Sequence, residues 1–130
     1  MAKEGKKAII RIYSSFNNTH ITATDVTGAE TISSMSGGMV VRLGKDKSKQ
    51  YAAVQMASQI SEEIVAKGFT SADVHVRAPG GNKSRSQGPG AKTAIRTLTR
   101  SSLKINKIED STPVQHGHLR KKGGKRGRRV

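Results

Sequence analysis

The order of apolar and polar residues predicts β-strands in the first part of the chain. In residues 7–13, Ile10 and Ile12 alternate with more polar neighbours, and a period of two is typical of a strand with one buried face. The same alternation returns twice more, after short segments rich in Ser, Asn, Thr and Gly that favour turns. We therefore predict a three-stranded antiparallel meander, with strands at 7–13, 20–25 and 30–34 and turns at 14–19 and 27–28.

Apolar residues then recur at helical spacing. Alanine or isoleucine at positions 53, 57, 60 and 64 falls on one face of a helix that runs to Lys67. This helix begins at Ser48 or Lys49, with Ser48 as a possible N-cap and Gly68 placed to end it. A second helix is predicted at 91–102, strands at 73–77 and 104–110, and a basic connection of undefined structure at 37–49.

A strand, helix, strand, helix, strand succession after a meander predicts an α/β domain with a mixed five-stranded sheet and packed helices. A chain of 130 residues suits one such domain. We place it at residues 1–112, with residues 1–6 flexible, and assign 113–130 to a basic extension that begins at Pro113.

The charge balance changes the functional picture. The net charge is +15, and residues 120–130 contain seven Lys or Arg, three glycines and no acid. The other 119 residues still carry 17 bases against 9 acids, so the folded domain is basic as well. A segment like 120–130 is disordered in water and becomes ordered on a polyanion, of which nucleic acid is the most abundant.

A glycine-rich loop at 79–90 gives a second nucleic-acid signal. It leaves the carboxyl end of a predicted strand and enters a helix, which is where anions bind in open α/β sheets. Lys83 and Arg85 add charge, and Ala91 before Lys92 departs from the Walker A pattern. Phosphates of a nucleic-acid backbone fit this loop better than a nucleotide, although a solvated connection is the alternative.

The second helix supports that interpretation. Lys92, Arg96 and Arg100 recur every four residues and share one face, while apolar residues share another. Ordinary surface helices also carry such cations, but the 35 residues between Asp73 and Glu109 hold eight Lys or Arg and no acid. The stretch is therefore predicted to form a basic surface.

Other chemistries have little support in the sequence. There is no cysteine, His116 and His118 have no third metal ligand nearby, and the carboxylates follow no catalytic motif, so we assign no metal, no cofactor and no catalytic residue. Four dispersed aromatic residues predict no stacking surface. No membrane span or signal peptide is visible, and we expect a cytoplasmic protein with no membrane partner.

Two other functions compete with a structural RNA-binding role when the residues alone are considered. A free-standing nucleic-acid chaperone or DNA-compacting protein would share the basic extension but lack a unique RNA site. A nuclease or nucleotide hydrolase would need the motifs that are missing here.

Several motifs resemble the universal small-subunit ribosomal protein of the S-eleven family, in order and nearly end to end. They are SSFNNTHITATDVTG at 14–28, GGMVV at 37–41, YAAVQMA at 51–57, VRAPGGNKSRSQGPGAKTAIRTL at 76–98 and IEDSTPVQHGHLRKKGGKRGRRV at 108–130. The basic ending is similar to the archaeal and eukaryotic branch.

The resemblance implies a three-layer, ribonuclease H-like α/β domain without its catalytic carboxylates. It also implies a structural role in the platform of the small ribosomal subunit, bound to small-subunit ribosomal RNA and neighbouring platform proteins near the messenger RNA exit region, with no homo-oligomer.

The turn, the loop with its cationic helix, and the extension would then contact RNA. The expected RNA-binding residues are Ser14, Ser15, Asn17, Asn18, Thr19, Arg77, Gly80, Gly81, Asn82, Lys83, Ser84, Arg85, Gln87, Gly88, Gly90, Lys92, Arg96, Arg100, His116, Arg120, Lys121, Lys122, Lys125, Arg126, Arg128 and Arg129.

Overall fold

A computed structural model describes residues 6–40, 49–81, 86–101 and 103–117. Each predicted strand and helix is present, and a short 3-10 turn follows the third strand. The elements are β1 (Lys6–Ser14), β2 (Thr19–Asp25), β3 (Thr31–Ser36), the 3-10 turn (Gly37–Met39), α1 (Gln50–Ala66), β4 (Phe69–Arg77), α2 (Gly90–Arg100) and β5 (Lys104–Asp110).

The five strands form one mixed sheet in the order β3-β2-β1-β4-β5. β1, β2 and β3 pair in antiparallel fashion, as the meander predicts, while β4 runs parallel to both β1 and β5. The prediction of a single α/β domain with a mixed five-stranded sheet is confirmed.

Alternate residues of the strands bury one face of the sheet beneath both helices. Ile10 and Ile12 of β1 and Val74 of β4 share a core cluster with Ile60 of α1 and Leu98 of α2. Because side chains two apart in a strand point to the same face, both helices lie on that face. The described residues therefore form two layers, not the three that the resemblance implied.

Chain connectivity explains the single helical layer. β3, β1, β4 and β5 all run in one direction. The crossovers through α1 and α2 both advance toward β5, and right-handed crossovers in one direction place their helices on one face. The other face of the sheet is left without a helix in the described part of the chain.

Some boundaries differ from the predicted ones. β4 begins at Phe69, earlier than the predicted start at 73, because its first residues pair with the start of β1. α1 begins at Gln50 with no side-chain cap from Lys49, and Ser48, the other possible cap, lies outside the described residues. α2 begins at Gly90 and ends at Arg100, two residues before the predicted end.

Candidate nucleic-acid interface

Three predicted RNA-contacting segments meet at one end of the sheet. Because β1, β4 and β5 are parallel, their carboxyl ends lie at the same edge. The turn 15–18 follows β1, the loop 78–89 follows β4, and residues 111–117 follow β5. We call this region the strand-end edge, and it also includes the amino end of α2 at Gly90.

The turn 15–18 is closed by its own first residue. The backbone N–H of Ser15 donates to the carbonyl of Asn18 at 2.9 Å, and the Ser15 hydroxyl donates to the same carbonyl at 3.0 Å. That hydroxyl also accepts from the backbone N–H of Asn17 at 3.3 Å and of Asn18 at 3.1 Å. The exposed Phe16 and Asn17 are thereby held at the tip of the turn.

The Asn18 side chain ties the turn to the segment after β3. Its Oδ1 accepts from the backbone N–H of Thr19 at 2.8 Å and from that of Gly37 at 3.0 Å. One amide oxygen thus satisfies two backbone donors from different parts of the chain, so the turn is fixed by tertiary structure as well as by its own sequence.

The end of the glycine-rich loop packs directly on this turn. Gly88 donates its N–H to the carbonyl of Ser14 at 3.4 Å. A Cβ atom at Gly88 would lie 2.0 Å from the Ser15 carbonyl oxygen and 2.9 Å from the Ser14 hydroxyl. Only glycine permits this approach without a backbone shift, so the loop and the turn form one surface.

The start of the same loop packs on the start of the extension. Gly80 has a φ of +63°, and a Cβ atom there would lie 2.4 Å from the Pro113 carbonyl oxygen. Gly81 donates to that oxygen at 2.9 Å, and Ala78 donates to the Thr112 hydroxyl at 2.9 Å. The extension therefore leaves the domain alongside the loop, and all three segments converge at the strand-end edge.

Asp110 fixes the residue that leads into the extension. Its Oδ1 accepts from the Thr112 hydroxyl at 2.6 Å and from the Thr112 backbone N–H at 2.9 Å. The Thr112 hydroxyl is the main cause that lowers the pKa of this carboxyl group, and Gln87 contributes a weaker hydrogen bond. Asp110 is thus ionised at neutral pH, and its charge stabilises the chain reversal at Thr112 that follows β5.

The helix α2 shows the amphipathic pattern that its sequence predicts. Ala91, Ala94 and Leu98 are buried, and Lys92, Arg96 and Arg100 are exposed. Of these three cations, Lys92 lies nearest the strand-end edge. Arg100 lies about 12 Å further along the helix axis, at about 1.5 Å per residue. The cationic face therefore runs from that edge along the helical layer.

The predicted site residues differ in what they offer a ligand. Ser14 and Thr19 have no exposed surface, so the structure places their side chains beneath the turn rather than on its outer surface. Gly80, Gly88 and Gly90 are also buried. The exposed members are Asn17, Lys92, Arg96, Arg100 and His116, and the partly exposed ones are Ser15, Asn18, Arg77, Gly81 and Gln87.

Eleven predicted positions lie outside the described residues. They comprise four positions in the glycine-rich loop and the seven cations of the extension: Asn82, Lys83, Ser84, Arg85, Arg120, Lys121, Lys122, Lys125, Arg126, Arg128 and Arg129.

Sequence reasoning named Arg77 as a site residue but missed the side chains that lie next to it on the helix-free face of the sheet. Tyr13, His20 and Arg77 lie next to one another across three strands. The Arg77 guanidinium carbon lies 5.1 Å from the centroid of the Tyr13 ring, within cation–π range. The alternation of β1 carried the signal, because Arg11 and Tyr13 alternate with the buried Ile10 and Ile12 and therefore point to the other face of the sheet.

The described ranges contain no cluster of three His, Asp or Glu side chains placed to hold a metal ion. Among the helices described, none has the length and apolar character needed to cross a membrane.

Fold and site together define a basic α/β protein with one edge suited to a polyanion. The sequence profile described as ribosomal protein S11 matches residues 8–126, and the chain belongs to this family. Members are structural, non-enzymatic proteins of the small ribosomal subunit, and membership implies binding to small-subunit ribosomal RNA and to other ribosomal proteins. The resemblance stated from the sequence motifs is thereby confirmed.

Proposed function

We propose that this chain occupies the platform of the small ribosomal subunit near the messenger RNA exit region, with its strand-end edge on small-subunit ribosomal RNA. The observation that carries the proposal is the convergence of three segments through two close backbone approaches. Gly88 contacts the turn 15–18, and Gly80 contacts the extension at Pro113. Several phosphates of a folded RNA can be bound at once by such a surface.

The turn and the loop orient the protein on the RNA and contribute less than the extension to the binding free energy. Their backbone groups and exposed amides are fixed by the hydrogen bonds of Ser15 and Asn18, so little conformational entropy is lost when RNA binds. Ser14 and Thr19 support the turn from inside the domain. Lys92 adds a charge at the amino end of α2, where free backbone N–H groups also favour phosphate.

The extension supplies affinity. Its seven cations follow residues 111–117, whose path is fixed by Asp110 and by the backbone of the loop. We propose that residues 120–130 thread among RNA helices and become ordered during assembly, in the cytoplasm, beside neighbouring platform proteins. Electrostatic contacts of this kind depend strongly on salt.

A comparison of two RNAs separates this function from that of a free-standing nucleic-acid chaperone. The full chain is titrated with small-subunit ribosomal RNA and with random RNA of equal length, at the same moderate salt concentration. We expect the ribosomal RNA to bind at least about tenfold more tightly, since positioned contacts add to the shared electrostatic term. Equal affinities would contradict a specific role.

The location is tested in the assembled particle. We expect the chain to sediment with small subunits after a high-salt wash and to cross-link to RNA of the platform through residues of the strand-end edge. Release by the wash, or cross-links confined to another region of the subunit, would overturn the proposed place.

A further inference from the structure

The helix-free face of the sheet contains a shallow recess of about 270 Å³ next to the strand-end edge. The strands β1, β2 and β4 line it, together with Ser111, the residue after β5. The side chains that matter here are Arg11, Tyr13, His20, His75 and Arg77. No segment in the described part of the chain covers this face.

The strand register groups these side chains in two rows. Tyr13 lies between His20 of β2 and Arg77 of β4, and Arg11 lies one row away beside His75. The Tyr13 and His20 ring centroids are 6.0 Å apart with an interplanar angle of 54°. Together with the guanidinium over Tyr13, these rings make three neighbouring π-systems that are tilted relative to one another, and we call this group the platform.

The platform is held in place without a ligand. Arg77 Nε donates to the carbonyl of Ala78 at 3.2 Å, and its Nη2 donates to the carbonyl of Pro79 at 3.0 Å. These bonds fix the plane of the guanidinium over the Tyr13 ring. A group that stacks there meets a preorganised surface and loses less entropy on binding.

The charges around the recess favour an anion. Arg11 is exposed, and its Nη1 donates to the Thr24 hydroxyl at 3.0 Å. The nearby acid Glu109 already faces a cation, since it lies 3.7 Å from the Lys107 ammonium group, and it lies 3.7 Å from the His75 ring. The recess thus combines groups that can stack on a base with two guanidinium groups that form no ion pair within the described ranges.

We propose that this recess binds one unpaired nucleotide of RNA, with its base stacked on the Tyr13, His20 and Arg77 platform and its phosphate toward Arg11. Bases that are splayed out of RNA stack on aromatic rings and on arginine planes. The volume falls just below the range of about 300 to 1,000 Å³ of ordinary ligand pockets, which suits one base better than a helix.

The proposal rests on the RNA-binding function but names a surface separate from the strand-end edge. An acidic peptide is the rival occupant. It would need a row of free cations, whereas Lys7 on this face pairs with Asp73 at 2.7 Å. The observations therefore favour a nucleotide.

The test uses the full chain and a single-stranded hexaadenylate RNA, with binding measured by fluorescence anisotropy. Removing the ring in Tyr13→Leu should weaken binding by about 5-fold to 100-fold, the range expected for loss of one base-stacking partner. Tyr13→Phe keeps the ring and should bind within about twofold of the wild type, on the same scale. Equal binding by all three proteins would overturn the proposal.

A second measurement does not depend on the variants. On the wild-type chain, hexaadenylate should cross-link under ultraviolet light to residues 11–22 or 75–79 and should shift the ring signals of His20 and His75. Cross-links confined to other segments, or ring shifts with hexaglutamate but not with the RNA, would overturn it. Small-subunit ribosomal RNA is titrated in parallel, because retained preference for that RNA keeps the proposed function even when the recess fails.

Discussion

The two turns that flank β2 are built in different ways. The turn after β2 is closed by its own residues: Asp25 Oδ1 accepts from the Thr27 hydroxyl and from the Gly28 N–H, both at 2.8 Å. The turn before β2 is bonded by Asn18 to Gly37 and touched by Gly88. One turn depends on local bonds, and the other combines its local Ser15 bonds with contacts from segments distant in the chain.

This difference separates the two ends of the sheet by task. The self-contained turn carries Asp25 and Glu30, and its negative charge opposes RNA. The cross-bonded turn 15–18 contains no acid and lies where the loop and the extension converge. An end that many segments jointly position is suited to recognise a large, rigid partner, whereas the other end only reverses the chain.

The largest expected effect comes from removing the charge that the extension brings to the strand-end edge. Deleting residues 120–130 removes seven cations. The slope of log affinity against log salt for small-subunit ribosomal RNA should flatten by about 5 to 6, at roughly 0.7 to 0.9 per phosphate contact. An unchanged slope would show that the extension does not meet phosphates.

Alanine at one glycine near each turn compares the two ends directly. Gly88→Ala places a Cβ against the Ser15 carbonyl and should lower the free energy of unfolding by about 2 to 4 kcal/mol. Gly28→Ala has open space, with its nearest atom at 3.9 Å, but a φ of +79°, and should cost about 1 kcal/mol. Urea denaturation measures both, and equal losses would remove the distinction between the turns.

Side-chain truncation tests the same contrast within one turn. Asn18→Ala leaves the N–H groups of Thr19 and Gly37 without their acceptor and should destabilise the domain by about 1 to 3 kcal/mol. The matched variant Asn17→Ala changes an exposed neighbour and should stay within about 0.5 kcal/mol of the wild type in urea. A stable Asn18→Ala protein would mean that the tertiary bonds do not hold the turn.

Two cations on the same face of α2 test where the RNA surface ends. Lys92→Gln, near the strand-end edge, should flatten the salt slope by about 0.7 to 0.9, the value of one phosphate contact. Arg100→Gln, at the far end of the helix, should flatten it less. Matching slopes for the two variants would extend the RNA surface along the whole helical layer.

The smallest effect concerns acid stability at the self-contained turn. The Thr27 hydroxyl is the main cause that lowers the pKa of Asp25 below its ordinary value of 3.8. The stabilisation is therefore complete above that ordinary value and is lost as the pH falls through the lowered pKa of the folded state. Asp25→Asn should make unfolding midpoints in urea fall less steeply below about pH 4. Identical acid profiles would argue against the bond.

The sequence predicted what local pattern controls. The bounds of β5 at 104–110 were confirmed, and so were the buried faces of both helices, because a hydrophobic period records which side of an element is covered. The predicted start of β4 at residue 73 was wrong, because the strand begins at Phe69. Its first residues carry no strong alternation, and their pairing with β1 decides their structure.

Long-range contacts explain the rest of what was missed. The sequence of residues 86–90 does not indicate that Gly88 approaches Ser15. The sequence of residues 14–19 likewise does not indicate that Ser14 and Thr19 are fully buried. The resemblance implied helices on both faces of the sheet, but the chain connectivity places both described helices on one face. The stacking group on the open face arose from residues in three strands, which no single segment reveals.

Hydrogen exchange of the full chain, free and bound to small-subunit ribosomal RNA, tests the central claim most directly. Exchange at the strand-end edge, in residues 14–19, 78–81, 86–91 and 111–117, should slow markedly on binding, while residues 25–31 around the self-contained turn should exchange as in the free protein. Protection centred on residues 25–31, or spread evenly over both ends of the sheet, would contradict the account.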